Sequence, residues 1–265
     1  MSVIIPTFRT QVYLWECLAS LERQTLSHAS FEVIVVLNGP KEPYWSELSA
    51  YQKAHPAMHL RCLYSDKAGA ANARNAGLEV ACGQFVTFLD DDDYLSDSCL
   101  EEMLSLSTEG YIVACYPYSF QDGAAEKQCP YTMTDAYDYC TRHQCTSLYS
   151  IARLYLSGPC MKLIAREMIG DRRFDPAFTV GEDSLFMFLI SDRIKGILFT
   201  GRKAVYYRRL RSGSTIHSQS VLHSIQTGAR LAVAYTKIFF SGKYSWYLYV
   251  TRLLGACHRI LYCLK

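Results

Sequence analysis

From residue 193 to Lys265 the sequence contains no aspartate or glutamate. All 25 carboxylate side chains lie before that point, with 14 lysines and arginines, a formal charge of −11, while the remaining 13 basic residues follow it, a formal +13. The net charge of +2 hides this split, which points to an anionic partner. No apolar run reaches the ~20 residues needed to cross a bilayer. No basic segment precedes the opening Met1-Ser2-Val3-Ile4-Ile5-Pro6, so no secretory leader and a cytoplasmic location are expected. Eleven cysteines are present, an odd number with irregular spacing and no Cys-x-x-Cys, which argues against a disulfide framework or a zinc site and for buried, reduced thiols. No Gly-x-Gly-x-x-Gly joins the first apolar run to a helix and no Walker A motif occurs, which excludes dinucleotide and P-loop sites. Repeats and low-complexity segments are missing too.

What remains is a 265-residue chain with half of its residues hydrophobic, enough for one large α/β domain with a sizeable core or for one domain plus an appendage. Ser2 to Pro6 reads as a strand and Gln11 to Gln24 as a helix, with Leu14, Leu18 and Leu21 at helical spacing. Phe31 to Leu37 reads as a buried strand closed by Asn38-Gly39-Pro40, and Pro43 to His55 as a helix. His59 to Tyr64, Ala70 to Cys82 and Gln84 to Leu89 repeat the alternation. Near-continuous apolar strands alternating with helices imply a mostly parallel sheet covered on both faces, with ligands beyond the carboxyl ends of its strands. Three polar clusters occupy those ends: Pro6-Thr7, Asn38-Gly39 and Asp90 to Asp93. Further on, Tyr111 to Phe120 reads as one strand, Gly158 to Arg166 as a strand at the wall of the site, and Gly181 to Leu189 as a loop entering an apolar helix.

The run Asp90-Asp91-Asp92-Asp93 follows directly on a buried-type strand. Crowded carboxylates raise one another's pKa unless a cation or a set of donors compensates. An all-oxygen cluster suits Mg²⁺ or Mn²⁺, completed by water and substrate phosphates. The competing reading is a solvated acidic turn before the next helix, and Glu182 and Asp183, just before an apolar run, could likewise be plain charges at a helix N-terminus. Arg74, set among the small residues of Gly69 to Gly77, has the reach and geometry to bind a phosphate bidentately.

Four segments in order resemble the signature of the inverting family 2 glycosyltransferases of the GT-A fold: Ser2 to Phe8, Ala73 to Gly77, Phe88 to Asp93, and Gly181 to Phe186. The resemblance implies an α/β GT-A fold, a Rossmann-like sheet flanked by helices, over residues 1–217. Residues 1–106 would form the nucleotide-sugar half, residues 107–217 the acceptor half, and residues 218–265 a basic, aromatic-rich helical extension. It further implies that Pro6 and Thr7 line the nucleotide pocket, that Arg74 lies near the nucleotide, that Asp90 meets the ribose side, and that Asp92 is the chief metal ligand. Asp183 matches the catalytic base. Arg9, Asn38, Lys67, Asp91 and Glu182 are further candidates for the nucleotide-sugar site. Tyr206 to His217 resembles the loop that closes over the donor diphosphate, with Arg211 and Ser214 as phosphate contacts and His217 as a third-ligand candidate for the metal.

Two departures stand out. The family's second strand usually ends in Asp-Asp-Gly-Ser, whereas this chain has Asn38-Gly39-Pro40-Lys41, and Arg9 stands where the family commonly has Asn. The implied activity is transfer of a hexosyl or N-acetylhexosaminyl group from a nucleotide-diphosphate sugar, UDP first, to a glycan or lipid-linked acceptor in surface polysaccharide synthesis, with Mn²⁺ or Mg²⁺. The alternative is a non-catalytic GT-A domain that binds a nucleotide or glycan. A nucleotidyltransferase of related fold would need a Gly-rich loop with Arg and Lys after the first strand, and that loop is missing. Aromatic residues interleaved with Lys and Arg over residues 219–265 suit either an anionic membrane surface on the inner leaflet or packing against the domain. Nucleic acid is not expected, because no binding motif accompanies the positive charge.

Overall fold

The structure, a computed structural model, describes residues 1–211 and 221–262. In chain order its elements are β1 (Ser2–Thr7), α1 (Val12–Glu22), β2 (Glu32–Leu37), α2 (Tyr44–Ala54), β3 (Leu60–Tyr64), α3 (Ala70–Val80) and β4 (Phe85–Phe88). There follow β5 (Tyr94–Leu95), α4 (Cys99–Ser105), β6 (Tyr111–Ala114), β7 (Tyr116–Gln121), β8 (Ala124–Gln128), α5 (Thr132–Arg142), β9 (Lys162–Ala165) and α6 (Arg166–Ile169). The chain then forms α7 (Glu182–Leu189), β10 (Gly196–Phe199), β11 (Val205–Leu210), α8 (Val221–Ser241) and α9 (Trp246–Tyr262).

Every residue of β1 is buried, and all but the first of β2, because helices cover both faces of the sheet. Alternate side chains feed two cores. Ile4, Ile34 and Val36 pack with Phe88, Phe186 and Tyr235 on one face, while Val3, Ile5, Val33 and Val35 pack with Leu14, Leu18 and Leu48 on the other. The small residues of α3 let it lie close to the sheet: a Cβ on Gly77 would fall 2.5 Å from Ile4 Cγ2.

The main sheet has the order β10-β6-β9-β4-β1-β2-β3. β9 is antiparallel to both β4 and β6, and the other pairings are parallel. The chain moves outward from β1 through β2 to β3, then crosses back so that β4 pairs with the opposite edge of β1. The strand order therefore reverses at β1, the place where open α/β sheets hold ligands. Thr7 faces Leu37 in the register of β1 and β2, and the Leu89 N–H donates to the Ile4 carbonyl at 3.1 Å. Thr7, Asn38 and Asp90 thus emerge along one edge.

A second sheet, β5-β11-β7-β8, stands beside the first. Its presence corrects the single strand expected over Tyr111 to Phe120. The Cys115 N–H donates to the Met161 carbonyl at 3.1 Å, whereas the Tyr116 N–H donates to Ala204 at 2.8 Å, so adjacent donors serve different partners and the chain passes from one sheet to the other. Tyr206 to Leu210, expected as part of the loop over the donor diphosphate, instead belong to β11, paired with both β5 and β7. Residues 132–142, for which the sequence alone assigns no element, form α5, which buries Met133, Ala136, Tyr137 and Cys140 at helical spacing.

α8 packs on both α9 and α7. Leu231, Tyr235, Leu248 and Tyr249 join the core, while Val233, Phe240, Trp246 and Leu254 are exposed. Among the described residues no helix is long and apolar enough to cross a membrane.

Candidate active site

Two clefts meet at the carboxyl edge of β1 and β4. The first, about 630 Å³, is lined by Pro6, Thr7, Arg9, Asn38, Arg74, Asp90, Asp91, Asp92 and Arg211, drawn from three strand ends, the start of α3 and the end of β11. The second, about 420 Å³, holds Asp183, Cys160, Lys162, Tyr131 and Arg208. Asp90 and Asp92 line both, so these two carboxylates form the rim between the clefts.

The four aspartates have separate partners. Asp91 accepts from the Thr7 hydroxyl at 2.6 Å, which ties the acidic turn to the end of β1. Burial pushes its carboxyl up to about 7, against the Thr7 hydrogen bond and with help from Asp92 and Asp90. Asp93 is buried and accepts from the Tyr206 hydroxyl and the Arg209 N–H, each at 2.8 Å, so it anchors β11 to the turn. Burial and its two acidic neighbours hold the Asp93 carboxyl well above the ordinary range. Asp92 pairs with Arg211, Nε to Oδ2 at 2.7 Å. Burial and Asp90 raise the Asp92 carboxyl, and Arg211 partly offsets them.

Asp90 pairs with Arg74, and Arg74 also reaches the candidate base. The guanidinium lies inside the protein at 4% exposure, with Nη2 at 3.0 Å from Asp90 and Nη1 at 2.6 Å from Asp183. Burial alone would lower its pKa, but Asp183 and Asp90 outweigh that and keep it charged. Its Nε has no hydrogen-bond partner, and the Phe174 ring lies beneath it, 5.5 Å from the guanidinium carbon. Phe174 is itself stacked on Phe186 at 3.8 Å, so an aromatic pair in the core fixes the level of the arginine. Asp183 sits in the first turn of α7, which follows Gly181 at φ 89°. That position needs glycine twice over, because a Cβ would also fall 2.7 Å from Leu231 Cδ1. Burial pushes the Asp183 carboxyl up to about 6, with Arg74 opposing the rise.

Asn38 is buried, and its Nδ2 donates to the Gly69 carbonyl at 2.7 Å. A carbonyl only accepts, so this contact fixes the amide orientation and leaves Oδ1 to accept from a ligand. Arg9 lies on the cleft beside the Phe8 ring.

Two expected contacts do not form. Lys67 is exposed in the turn after β3 and lines neither cleft, because the turn carries its side chain into solvent. Glu182 is held 3.9 Å from Arg74 Nη1 as an additional counter-charge and does not line the donor-side cleft. Ser214 and His217 lie outside the described residues.

Lys162 and Arg209 were not foreseen. Lys162 is 2% exposed, donates to the Cys160 carbonyl at 2.6 Å and lies over the Tyr155 ring. Burial lowers its pKa to about 8. A lysine opening the apolar run Lys162-Leu163-Ile164-Ala165 was the available signal. Met161 beside it has φ 66°, a left-handed conformation costly for a side-chain-bearing residue and common near functional sites. Arg209 donates to the Asp92 carbonyl at 3.0 Å, to Asp122 at 2.8 Å and to Glu16, which fastens β11 across the turn.

Among the described residues no group of three or more His, Cys, Asp or Glu side chains is placed to hold a metal ion. The donor chemistry nevertheless fits a hard cation. Asp90 and Asp92 offer carboxylate oxygens at the shared rim, and Asp92 carries a raised pKa that a cation would relieve.

The family model described as glycosyl transferase family 2 matches residues 2–161. A curated relative, the GalNAc(5)-diNAcBac-PP-undecaprenol beta-1,3-glucosyltransferase of Campylobacter jejuni, is 26% identical over 73% of this chain. The chain spans 60% of that protein's length and 23% of another curated relative's. The crystal structure of S. aureus TarS 1-349 in complex with UDP-GlcNAc has a TM-score of 0.74 at 22% identity, over 97% of this chain and 71% of that one. The mannosyltransferase PcManGT of Pyrobaculum calidifontis, in complex with GDP-Man and Mn2+, has a TM-score of 0.63 at 16% identity, over 99% of this chain and 74% of that one. With the GT-A fold shared and the family model covering β1 to the approach of β9, this chain belongs to glycosyl transferase family 2.

Proposed function

We propose that the chain transfers a hexosyl or N-acetylhexosaminyl group from a UDP-sugar to a hydroxyl of a glycan or lipid-linked acceptor in surface polysaccharide synthesis, inverting the anomeric centre. The observation that carries this reading is the pair of clefts that share Asp90 and Asp92, with Asp183 in the second and Arg74 bridging Asp183 to Asp90. The larger cleft would take the donor. Asn38 Oδ1 is placed to accept from a base N–H, which supports a pyrimidine even without the usual aspartate. The UDP-GlcNAc in TarS supports the same donor class, and the undecaprenol-linked substrate in the relative's name supports a lipid-linked acceptor.

In the smaller cleft the Asp183 carboxylate would remove the acceptor hydroxyl proton while that oxygen attacks the anomeric carbon from the face opposite the leaving diphosphate. Arg74 would keep Asp183 charged and aimed into the cleft, and the buried wall of Lys162 and Tyr155 would limit water. Arg211 and Arg9 would meet the diphosphate charge. Mn²⁺ or Mg²⁺ would be held by Asp92, with Asp90 beside it, and would neutralise charge on the departing phosphate. The Mn2+ in the PcManGT complex supports this assignment. Residues 1–217 would form the catalytic domain and residues 218–265 an extension on it, working in the cytoplasm at the inner face of the membrane.

Titration of UDP and GDP into the protein, with and without Mn²⁺, tests the reading. UDP should bind, Mn²⁺ should strengthen it, and Asp92→Ala should remove the metal-dependent part. Failure of both nucleotides to bind under either condition would overturn it.

A further inference from the structure

Arg252 plays no part in the arrangement above. It lies on α9 against a half-open cavity of about 250 Å³ bounded by α7, α8, α9 and the 3₁₀ turn Ile151–Ser157, with Ser157, Ser184, Tyr235 and Thr251 among its walls. Its Nε is buried without a hydrogen-bond partner. Residues 193–265 contain no carboxylate, and among the described residues none from elsewhere forms an ion pair with Arg252. Burial and the nearby Arg153 pull its pKa down, with the Tyr235 phenol acting the other way. Lys162, in the acceptor-side cleft, also feels its charge. Arg153 and Lys162 thus lie within electrostatic range of Arg252, and Asp183 is the carboxylate that acts on Lys162.

Arg252 is half-buried with its Nε fully enclosed, and a partly desolvated guanidinium without a counter-charge is costly; an anion from outside relieves that cost. Ser157 lines both this cavity and the acceptor-side cleft, so the two lie on either side of one residue, and Ser184 follows the candidate base in sequence. The Ser157 hydroxyl makes only a 4.0 Å contact to Met133 Sδ, so it can turn to a new acceptor. Ser184 and Thr251 donate to backbone carbonyls of their own helices or helix approaches and shape the wall. At well under half the volume of the donor-side cleft, the cavity has room for a phosphate and its ester carbons but none for a nucleotide.

We propose that this cavity is a phosphate subsite for the acceptor, in which Arg252 and Ser157 hold an oxyanion of a phosphate-bearing glycan or lipid-linked saccharide while its hydroxyl reaches Asp183. The inference rests on the transferase reading and narrows its acceptor to phosphate-bearing molecules. Arginine suits the role because its fork pairs two phosphate oxygens at once.

The experiment saturates the protein with UDP and Mn²⁺, then titrates methyl phosphate and, separately, dihexanoyl phosphatidylglycerol below its micelle concentration, reading thermal stabilisation. Wild type should show a saturable shift with at least one probe. Arg252→Gln should weaken that response at least ten-fold, and Arg252→Lys should weaken it less. Ala256→Leu, one helical turn further on, fills the cavity without removing charge and should block the response even if Arg252→Gln fails to fold. A response to methyl phosphate traces the anion to a soluble acceptor, and a response to the lipid alone traces it to a headgroup. Either supports the site. UDP binding with no probe response, or a response that survives both Arg252→Gln and Ala256→Leu, overturns the subsite alone. Absence of UDP binding would instead remove the transferase reading, and the probes can then be titrated without nucleotide.

Discussion

Arg74 Nη1 lies 2.6 Å from Asp183 Oδ1, joining two residues 109 positions apart in the chain. The same guanidinium holds Asp90 at the rim between the clefts, so the candidate base and the donor-side turn are set by one side chain. Phe174, stacked on Phe186, sets the height of that side chain. A core aromatic pair thereby fixes the distance between two polar groups that must act together.

Replacing Asp183 by Asn keeps the shape of the cleft and removes the proton acceptor. Transfer should fall by roughly 10²–10⁴-fold, the usual contribution of a positioned general base. UDP binding should be unchanged, because Asp183 does not line the donor-side cleft. Calorimetry with UDP and a transfer assay on the same preparation check both outcomes, and a wild-type rate would refute the base assignment.

The pH dependence carries a sign. Asp183 is raised to about 6 mainly by burial and is the base only when ionised, so kcat/KM should rise with pH to a plateau with its midpoint near 6. Arg74 opposes the rise, and Arg74→Met should therefore move that acid limb to higher pH. The same substitution leaves two like charges unpaired. Because Asp183 and Asp90 keep 32% and 40% exposure, the loss of stability should be about 2 kcal/mol, below the roughly 3–5 kcal/mol for breaking a fully buried pair. It should be larger at pH 8 than at pH 5, since protonation of Asp183 removes the repulsion. Urea denaturation at the two pH values separates these outcomes.

The first half of the fold was legible because a strand buried on both faces leaves an unmistakable apolar run, as in Val33 to Leu37. Polar residues directly after such runs, Thr7, Asn38 and Asp90, were legible as neighbours at one edge of the sheet for the same reason, and they line one cleft. The bend at Cys115 was not. It depends on which distant carbonyls, Met161 and Ala204, receive two neighbouring N–H groups, and nothing local encodes that. The structure divides the four aspartates further than their order in the sequence could: Asp93 fastens β11 and Asp91 fastens β1, each beside one cleft, while Asp90 and Asp92 line both clefts. The burial of Lys162 and of the Arg252 Nε was not legible, because a basic residue reveals its burial only when its surroundings are known.

Arg211 and Asp92 were expected to serve a phosphate and a metal, and in this structure they pair with each other at 2.7 Å. The pair holds two opposite charges together at the rim of an open cleft. Arg211→Ala should therefore act in opposite directions on two ligands. Mn²⁺ alone should bind severalfold more tightly, because Asp92 is released, whereas UDP in the presence of Mn²⁺ should bind more weakly, because a diphosphate contact is lost. Paramagnetic relaxation by Mn²⁺ and UDP calorimetry measure the two effects. Equal weakening of both ligands would show that Arg211 does not compete for Asp92.

The turn between α8 and α9 brings Phe240 at 77% exposure and Trp246 at 65% next to exposed Lys243, with Lys237 one turn earlier on α8. Phe239 touches both aromatic rings from the partly buried side, so the two exposed rings belong to one surface. An apolar tip ringed by lysines suits the headgroup region of an anionic leaflet, where apolar burial and charge attraction add. Vesicles containing phosphatidylglycerol should therefore sediment the protein at low salt, and raising the salt should weaken the association. Replacing Phe240 and Trp246 together by Ser should cut partitioning by roughly ten-fold or more, given about 1.5–3 kcal/mol for each fully buried large apolar side chain. UDP binding should be untouched, because neither residue lines the donor-side cleft. No association at low salt with wild-type protein would assign this tip to solvent.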